Sequence, residues 1–283
     1  MLRTLSNAWA LTFAITTVPA ALAGGTYSSI DFPGAITTVG RGISPEGEIT
    51  GWYVSPDHKV HGYKLQDGVY TAIDVPSAIA TTTDGGPNPQ GDVVGNYTDS
   101  AHKVHGYVLS GGVLTTIDFP GASGTTARYI NARGEIVGFY NNGSHGFLLS
   151  GGVFTSIDFP GASATQAGGI NSEGEIVGLY AMAGKTHGFL LSHGEFTTID
   201  VPGALGTTTW DINPPGTVVG FYADAHGVLQ AYSDRNGDFE TLVFPGSPTG
   251  CAFGINPQGD VVGQYTDVHG MTHGFLLTNN RGD

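Results

Sequence analysis

A unit of about 42 residues recurs six times along the chain, and it limits the folds available more than any other feature. Three anchors define it. Ile-Asp-Phe/Val-Pro places an Asp at 31, 74, 118, 158 and 200, with Val243 in the remaining copy. Ile-Asn-x-x-Gly gives Asn131, Asn171, Asn213 and Asn256, with Ser44 and Asn88 in looser copies. His-Gly-Phe/Tyr gives His61, His105, His145, His187 and His273, with Gln230 in the fifth copy. The spacings are nearly fixed: 9 residues from the Asn position to the next Tyr and 13 from the His position to the next Asp position. Length varies mainly between that Tyr and the following His.

Each repeat reads as four short strands, a to d. Asn-x-x-Gly is turn chemistry between strands a and b, because Asn starts a type I turn and Gly accepts positive φ. Midway between strands c and d stand Asp67-Gly68, Gly111-Gly112, Gly151-Gly152, His193-Gly194 and Asn236-Gly237. All five suit a two-residue type I′ hairpin, which fixes register and sets His187 opposite Asp200. Four antiparallel strands per repeat, six times over, predict an all-β, six-bladed β-propeller. The N-terminal strand, 27–32, is left over as a strand d, and the last repeat lacks one. Their pairing would close the ring, with Asp31 meeting His273. An open solenoid fits the period, but it calls for atypical capping repeats that these ends do not resemble.

The motif Ile-Asn-x-x-Gly-x-Ile-Val-Gly-x-Tyr followed by His-Gly-Phe-Leu-Leu resembles the extracellular repeats of the HAF family, found in exported bacterial proteins. The likeness covers most of 27–279. It departs from the family motif in having His-Gly-Phe or His-Gly-Tyr where His-Ala-Phe is expected. The resemblance implies export and a repeat architecture, and it brings no catalytic residue with it.

Residues 1–23 are expected to be a signal peptide. Arg3 is followed by a mostly apolar run, and Ala21-Leu22-Ala23 offers a small-x-small cleavage site. A retained anchor would need a longer apolar span. The expected mature chain, 24–283, is then one propeller domain, secreted or held in the periplasm or at the cell surface, and monomeric. Its single Cys251 forms no internal disulfide, so core and ladders must hold the fold. With 10 Lys and Arg against 24 Asp and Glu, the formal net charge is −14, which argues against nucleic acid and anionic lipid as partners.

The repeated histidines read as structural partners of the repeated aspartates. Gln230 and Val243 replace both members together in one hairpin. Burial would make each pair worth about 1–3 kcal/mol. His58/His61 and His102/His105 have His-x-x-His spacing but lack a third ligand, and no metal or cofactor is expected. The six Tyr residues closing strand b read as packing between blades. Cys251 has no adjacent base, and the turn acids Glu46, Glu173 and Asp234 read as solvated. Arg281-Gly282-Asp283 is a short terminal match to an integrin-binding tripeptide and carries little weight.

Function is therefore sought where the repeat breaks down. Just before Ile-Asn, where most copies carry Gly or Ala, stand Arg41, Asp84, Arg128, Tyr129, Trp210, Asp211 and Phe253. Strand a lines the central channel of a propeller, so these residues are the candidate ligand-binding set. Two function classes fit them. One is an exported, non-catalytic binding module that recognises a glycan or a cell-surface protein through the funnel. The other is a polysaccharide hydrolase or lyase that uses the acidic and aromatic residues of the funnel, Asp211 among them.

Overall fold

The computed structural model describes residues 25–279. The expected signal segment, 1–23, and the terminal Arg-Gly-Asp lie outside them. The described residues form six four-stranded antiparallel sheets, each built from consecutive strands except the last. The innermost strands a are Thr37–Ile43, Ala80–Gly85, Thr125–Ile130, Ala164–Ile170, Gly206–Ile212 and Thr249–Ile255. Each touches the strand a of the blade on either side, and the sixth returns to the first, so the six surround a central axis. The fold is the six-bladed propeller that the repeat predicts.

Closure follows the split copy. Gly25–Ile30 pairs antiparallel with Thr272–Asn279, with Ser29 opposite Phe275 and Ile30 opposite Gly274. This strand stops one residue short of Asp31, slightly earlier than the expected 27–32. His273 Nδ1 still lies 2.7 Å from Asp31 Oδ1. All five c–d turns have positive φ at both central residues, as in Asp67 (50°) and Gly68 (76°). Type I′ turns are the ones whose twist matches that of the strands they join.

The repeated glycines are explained by close approach. In Val-Gly-x-Tyr, a Cβ on Gly178 would overlap the Gln166 carbonyl of strand a and stand 2.8 Å from the Phe189 ring. In His-Gly-Phe, a Cβ on Gly188 would stand 2.7 Å from Thr209 in the next blade. The sheets therefore pack at a distance that only Gly permits at these two positions. Each strand c buries one ring almost completely, Tyr63, Tyr107, Phe147, Phe189, Tyr232 and Phe275, and Tyr27 of the N-terminal strand is buried as deeply.

Neighbouring blades are fastened by aromatic stacks. Phe159, following Asp158, lies flat on Tyr180 of the next blade at 3.7 Å, and the far side of Tyr180 faces the His187 ring at 5.0 Å. Phe32, Phe119 and Phe244 stack in the same way on Tyr53, Tyr140 and Tyr265. Inter-blade packing is thus the role of these Tyr residues. The turn asparagines add a second fastening. Asn131 Nδ2 donates to Asn171 O of the next blade at 3.1 Å, and Asn213 Nδ2 likewise to Asn256 O.

The His–Asp pairs form as expected, with His187 Nδ1 2.8 Å from Asp200 Oδ2. Their environment differs from expectation. Asp158 is 50 % exposed and its partner His145 43 %. Solvent on one side weakens such a pair, so its worth falls toward that of a surface ion pair, under about 1 kcal/mol. Asp234 departs in the opposite direction. It is buried, accepts the Gly237 N–H at 2.8 Å, and burial raises its pKa.

Candidate functional site

Every strand a carries a β-bulge at the same point. The extra residues are Arg41, Asp84, Arg128, Gly168, Trp210 and Phe253, one per blade. A bulge leaves its extra residue outside the ladder and re-aims its side chain. Here the re-aimed side chains converge on the axis. Five of the seven residues singled out in the sequence are bulge residues, and the structure brings these five together in one layer.

Asp84 is the hub. Its Oδ2 accepts from Thr82 Oγ1 at 2.9 Å and from Asn96 Nδ2 at 2.6 Å. Its Oδ1 accepts from Arg128 Nη1 at 3.1 Å, and Arg41 Nε lies 3.6 Å away. Asn96 is itself held, since its Oδ1 accepts the Ala127 N–H at 2.8 Å. Asp84 is therefore a fixed, saturated anion between two cations from the flanking blades.

The aromatic residues cover the faces of both guanidinium groups. Arg41 Cζ lies 4.2 Å from the Phe253 ring centroid and 5.1 Å from that of Trp210. Arg128 Cζ lies 4.6 Å from Trp210 and 5.1 Å from Phe139. Cation–π contact of this kind strengthens once water is excluded. Burial lowers the Arg41 pKa to about 10 against the opposing pull of Asp84, and burial likewise lowers that of Arg128. Arg41 nevertheless remains protonated at neutral pH. Behind them Val39, Cys251 and Phe253, with Trp52, Trp210 and Phe221 packed against them, form an apolar wall. Burial pushes the Cys251 thiol up to about 12, which removes it as a nucleophile at neutral pH.

Above this layer opens a pocket of about 400 Å³. It is lined from blades 1 to 3 by Arg41, Trp52, Asp84, Asn96, Arg128 and Phe139, with threonines and small apolar residues at its rim. Ala80 begins its strand and Thr98 ends its strand, so the mouth lies on the face of the d–a and b–c loops, where repeat length varies. The sequence reading missed Trp52, Asn96 and Phe139. Their signal was available, since they occupy the x of Gly-x-Tyr, the other position that changes from copy to copy.

Tyr129 and Asp211 lie apart from the pocket lining, one residue beyond the bulge. Asp211 is fully buried, with Oδ1 accepting the Ile212 N–H at 2.8 Å and Oδ2 the Ile255 N–H of the next blade at 2.9 Å. The Tyr129 hydroxyl is a further hydrogen-bond partner of this carboxyl group, from two blades away. Blade 4 makes the reach feasible. A Cβ on Gly168 would stand 2.6 Å from Trp210 O, and one on Gly169 would stand 2.5 Å from Asp211 Oδ1. Desolvation raises the Asp211 pKa to about 7, with the backbone donors and Tyr129 pulling the other way. Burial holds the Tyr129 hydroxyl well above its usual range. The pair closes the channel wall beneath the pocket, and Asp211 offers no exposed oxygen to a substrate.

No family model matches the chain, and no curated protein is similar to it. Solved structures do share its fold. AofleA from Arthrobotrys oligospora is 12 % identical with a TM-score of 0.57, covering 86 % of this chain and 83 % of its own. A catalytically inactive virginiamycin B lyase from Staphylococcus aureus, solved with quinupristin, is 11 % identical with a TM-score of 0.54, covering 89 % and 99 %. The Aleuria aurantia lectin, solved with Fucα1-6GlcNAc, is 11 % identical with a TM-score of 0.53, covering 87 % and 93 %. At such identities the likeness is one of fold, so the site must speak for the function.

Proposed function

We propose that this chain is an exported, non-catalytic binding propeller that recognises a glycan through the pocket at the mouth of its central channel. One observation carries the reading: in a fold whose other positions repeat, the non-repeating residues of three adjacent blades converge on one concave pocket. Polar groups held in fixed positions beside aromatic faces are what a sugar-binding site requires, since a sugar ring offers both hydroxyls and an apolar face. A fucose-binding lectin among the propellers of similar fold supports this reading without assigning the site. Export rests on the segment 1–23 and the HAF-family resemblance.

The placement of the acids favours binding over hydrolysis or elimination. Asp84 is saturated by its donors, Asp211 is sealed, and the Cys251 thiol is not activated. Acid–base catalysis needs a titrating group within reach of a bound substrate. A glycan array with the mature chain, followed by a reducing-sugar assay on any hit, tests the proposal. Binding without product release is expected. Turnover that is lost in Asp211→Asn would refute it.

A further inference from the structure

We propose that the group recognised at the base of the pocket is a carboxylate, and that the ligand is an acidic sugar of the hexuronate class; this rests on the glycan reading above. The charge balance is the first argument. Two guanidinium groups, Arg41 and Arg128, share one carboxylate, Asp84, whose oxygens are already engaged. One positive charge is left over inside a chain whose formal net charge is −14. A single excess cation suits a monoanion.

The unused donors are the second argument. Arg41 Nε and Nη1 have no hydrogen-bond partner, although the side chain is only 13 % exposed. Buried polar groups are nearly always satisfied; Nε has only the long 3.6 Å ion-pair contact with Asp84, and Nη1 has no such contact, so this buried guanidinium calls for a further acceptor. Phe253 and Trp210 cover the faces of this cation, which leaves its edges for recognition. A planar guanidinium offered by its edge matches a planar carboxylate. Both donors are shut off from solvent, so a carboxylate would reach them only if the guanidinium turned on the Phe253 face. Trp52 and Phe139 line the same pocket and give the sugar ring an apolar surface beside the charge.

The test compares galacturonate oligomers with their methyl esters and with neutral galactose oligomers by isothermal titration on the mature wild-type chain. Changing the ligand avoids any dependence on whether a variant folds. The acid is expected to bind at least tenfold more tightly than its ester, and Arg41→Met, checked for a wild-type melting profile, is expected to abolish that preference. Equal binding of acid, ester and neutral oligomer would overturn the carboxylate inference and leave the glycan reading standing. Preference for sulfated over carboxylated sugars would also overturn it. Absence of binding by any of these sugars, charged or neutral, would overturn it together with the glycan reading.

Discussion

Replacing Asp84 by Asn removes one charge while keeping the shape of the side chain, so it isolates the role of the carboxylate in the funnel. The buried carboxyl group sits 3.1 Å from Arg128 Nη1 and 3.6 Å from Arg41 Nε. At an effective dielectric constant of about 20, each contact of this length is worth about 5 kcal/mol before desolvation is subtracted. Breaking a buried pair by deleting one partner costs about 3–5 kcal/mol, because the surviving charge stays buried. Two cations survive here, yet the pocket gives them some solvent, so the lower end, about 3 kcal/mol, is expected. In a chain of this size that lowers the melting temperature by roughly 6–12 °C. The assay is thermal unfolding followed by circular dichroism and repeated in urea. Asp57→Asn, at an exposed Asp–Lys contact, serves as the control and should melt like the parent. Asp84→Asn combined with Arg128→Met restores a single excess charge and should melt above Asp84→Asn alone. If Asp84→Asn melts within about 2 °C of the parent, the funnel charges are not coupled through Asp84 and the reasoning fails.

Other expectations follow from the same geometry. Gly178→Ala gains strand propensity of about 0.5–1 kcal/mol but drives a Cβ into the Gln166 carbonyl, so a net loss of about 3 kcal/mol is expected in urea unfolding. Gly152→Ala, at φ 79° with open space around it, should lose only about 1 kcal/mol. Tyr180→Ala removes a buried ring stacked on Phe159 and should cost about 3–5 kcal/mol, whereas His145→Gln should shift thermal melting by less than about 2 °C. Asp211 titrates near 7 when folded, above the ordinary 3.8 of the unfolded chain, so the folded state holds its proton more tightly. The stability this contributes is full below about pH 4, declines as pH rises from 4 to 7, and is gone above 7, a span on the order of 4 kcal/mol. Urea titrations across this range should show the decline in the parent and a flatter profile in Asp211→Asn. A decline of equal slope in both would refute the assignment.

The architecture was legible because it is written locally. Turn pairs such as Gly151-Gly152 and His193-Gly194 set hairpin register over two residues, and the fixed 13-residue spacing carries that register from His187 to Asp200. The joint replacement of His and Asp by Gln230 and Val243 in one hairpin identified the pair as structural, and the unpaired His273 and Asp31 implied that the ends meet. The exposure of the His–Asp pairs was not legible, because it depends on how deeply each blade edge lies in its neighbour.

For the funnel, sequence variation picked out which residues differ but not which of them meet. Arg41, Asp84 and Arg128 belong to three separate blades, and only ring closure with a bulge in each strand a turns them into one cluster. The split between the pocket layer and the Tyr129–Asp211 pair depends on a single residue step past each bulge and on the room left by Gly168 and Gly169. The sequence by itself determined the repeat, the strand order and the closure of the ring, since these follow from turn chemistry and alternation within about 40 residues. The tertiary structure alone decided which charges neutralise one another and which donors are left over, because those contacts run across the axis, where the order of residues along the chain says nothing about distance.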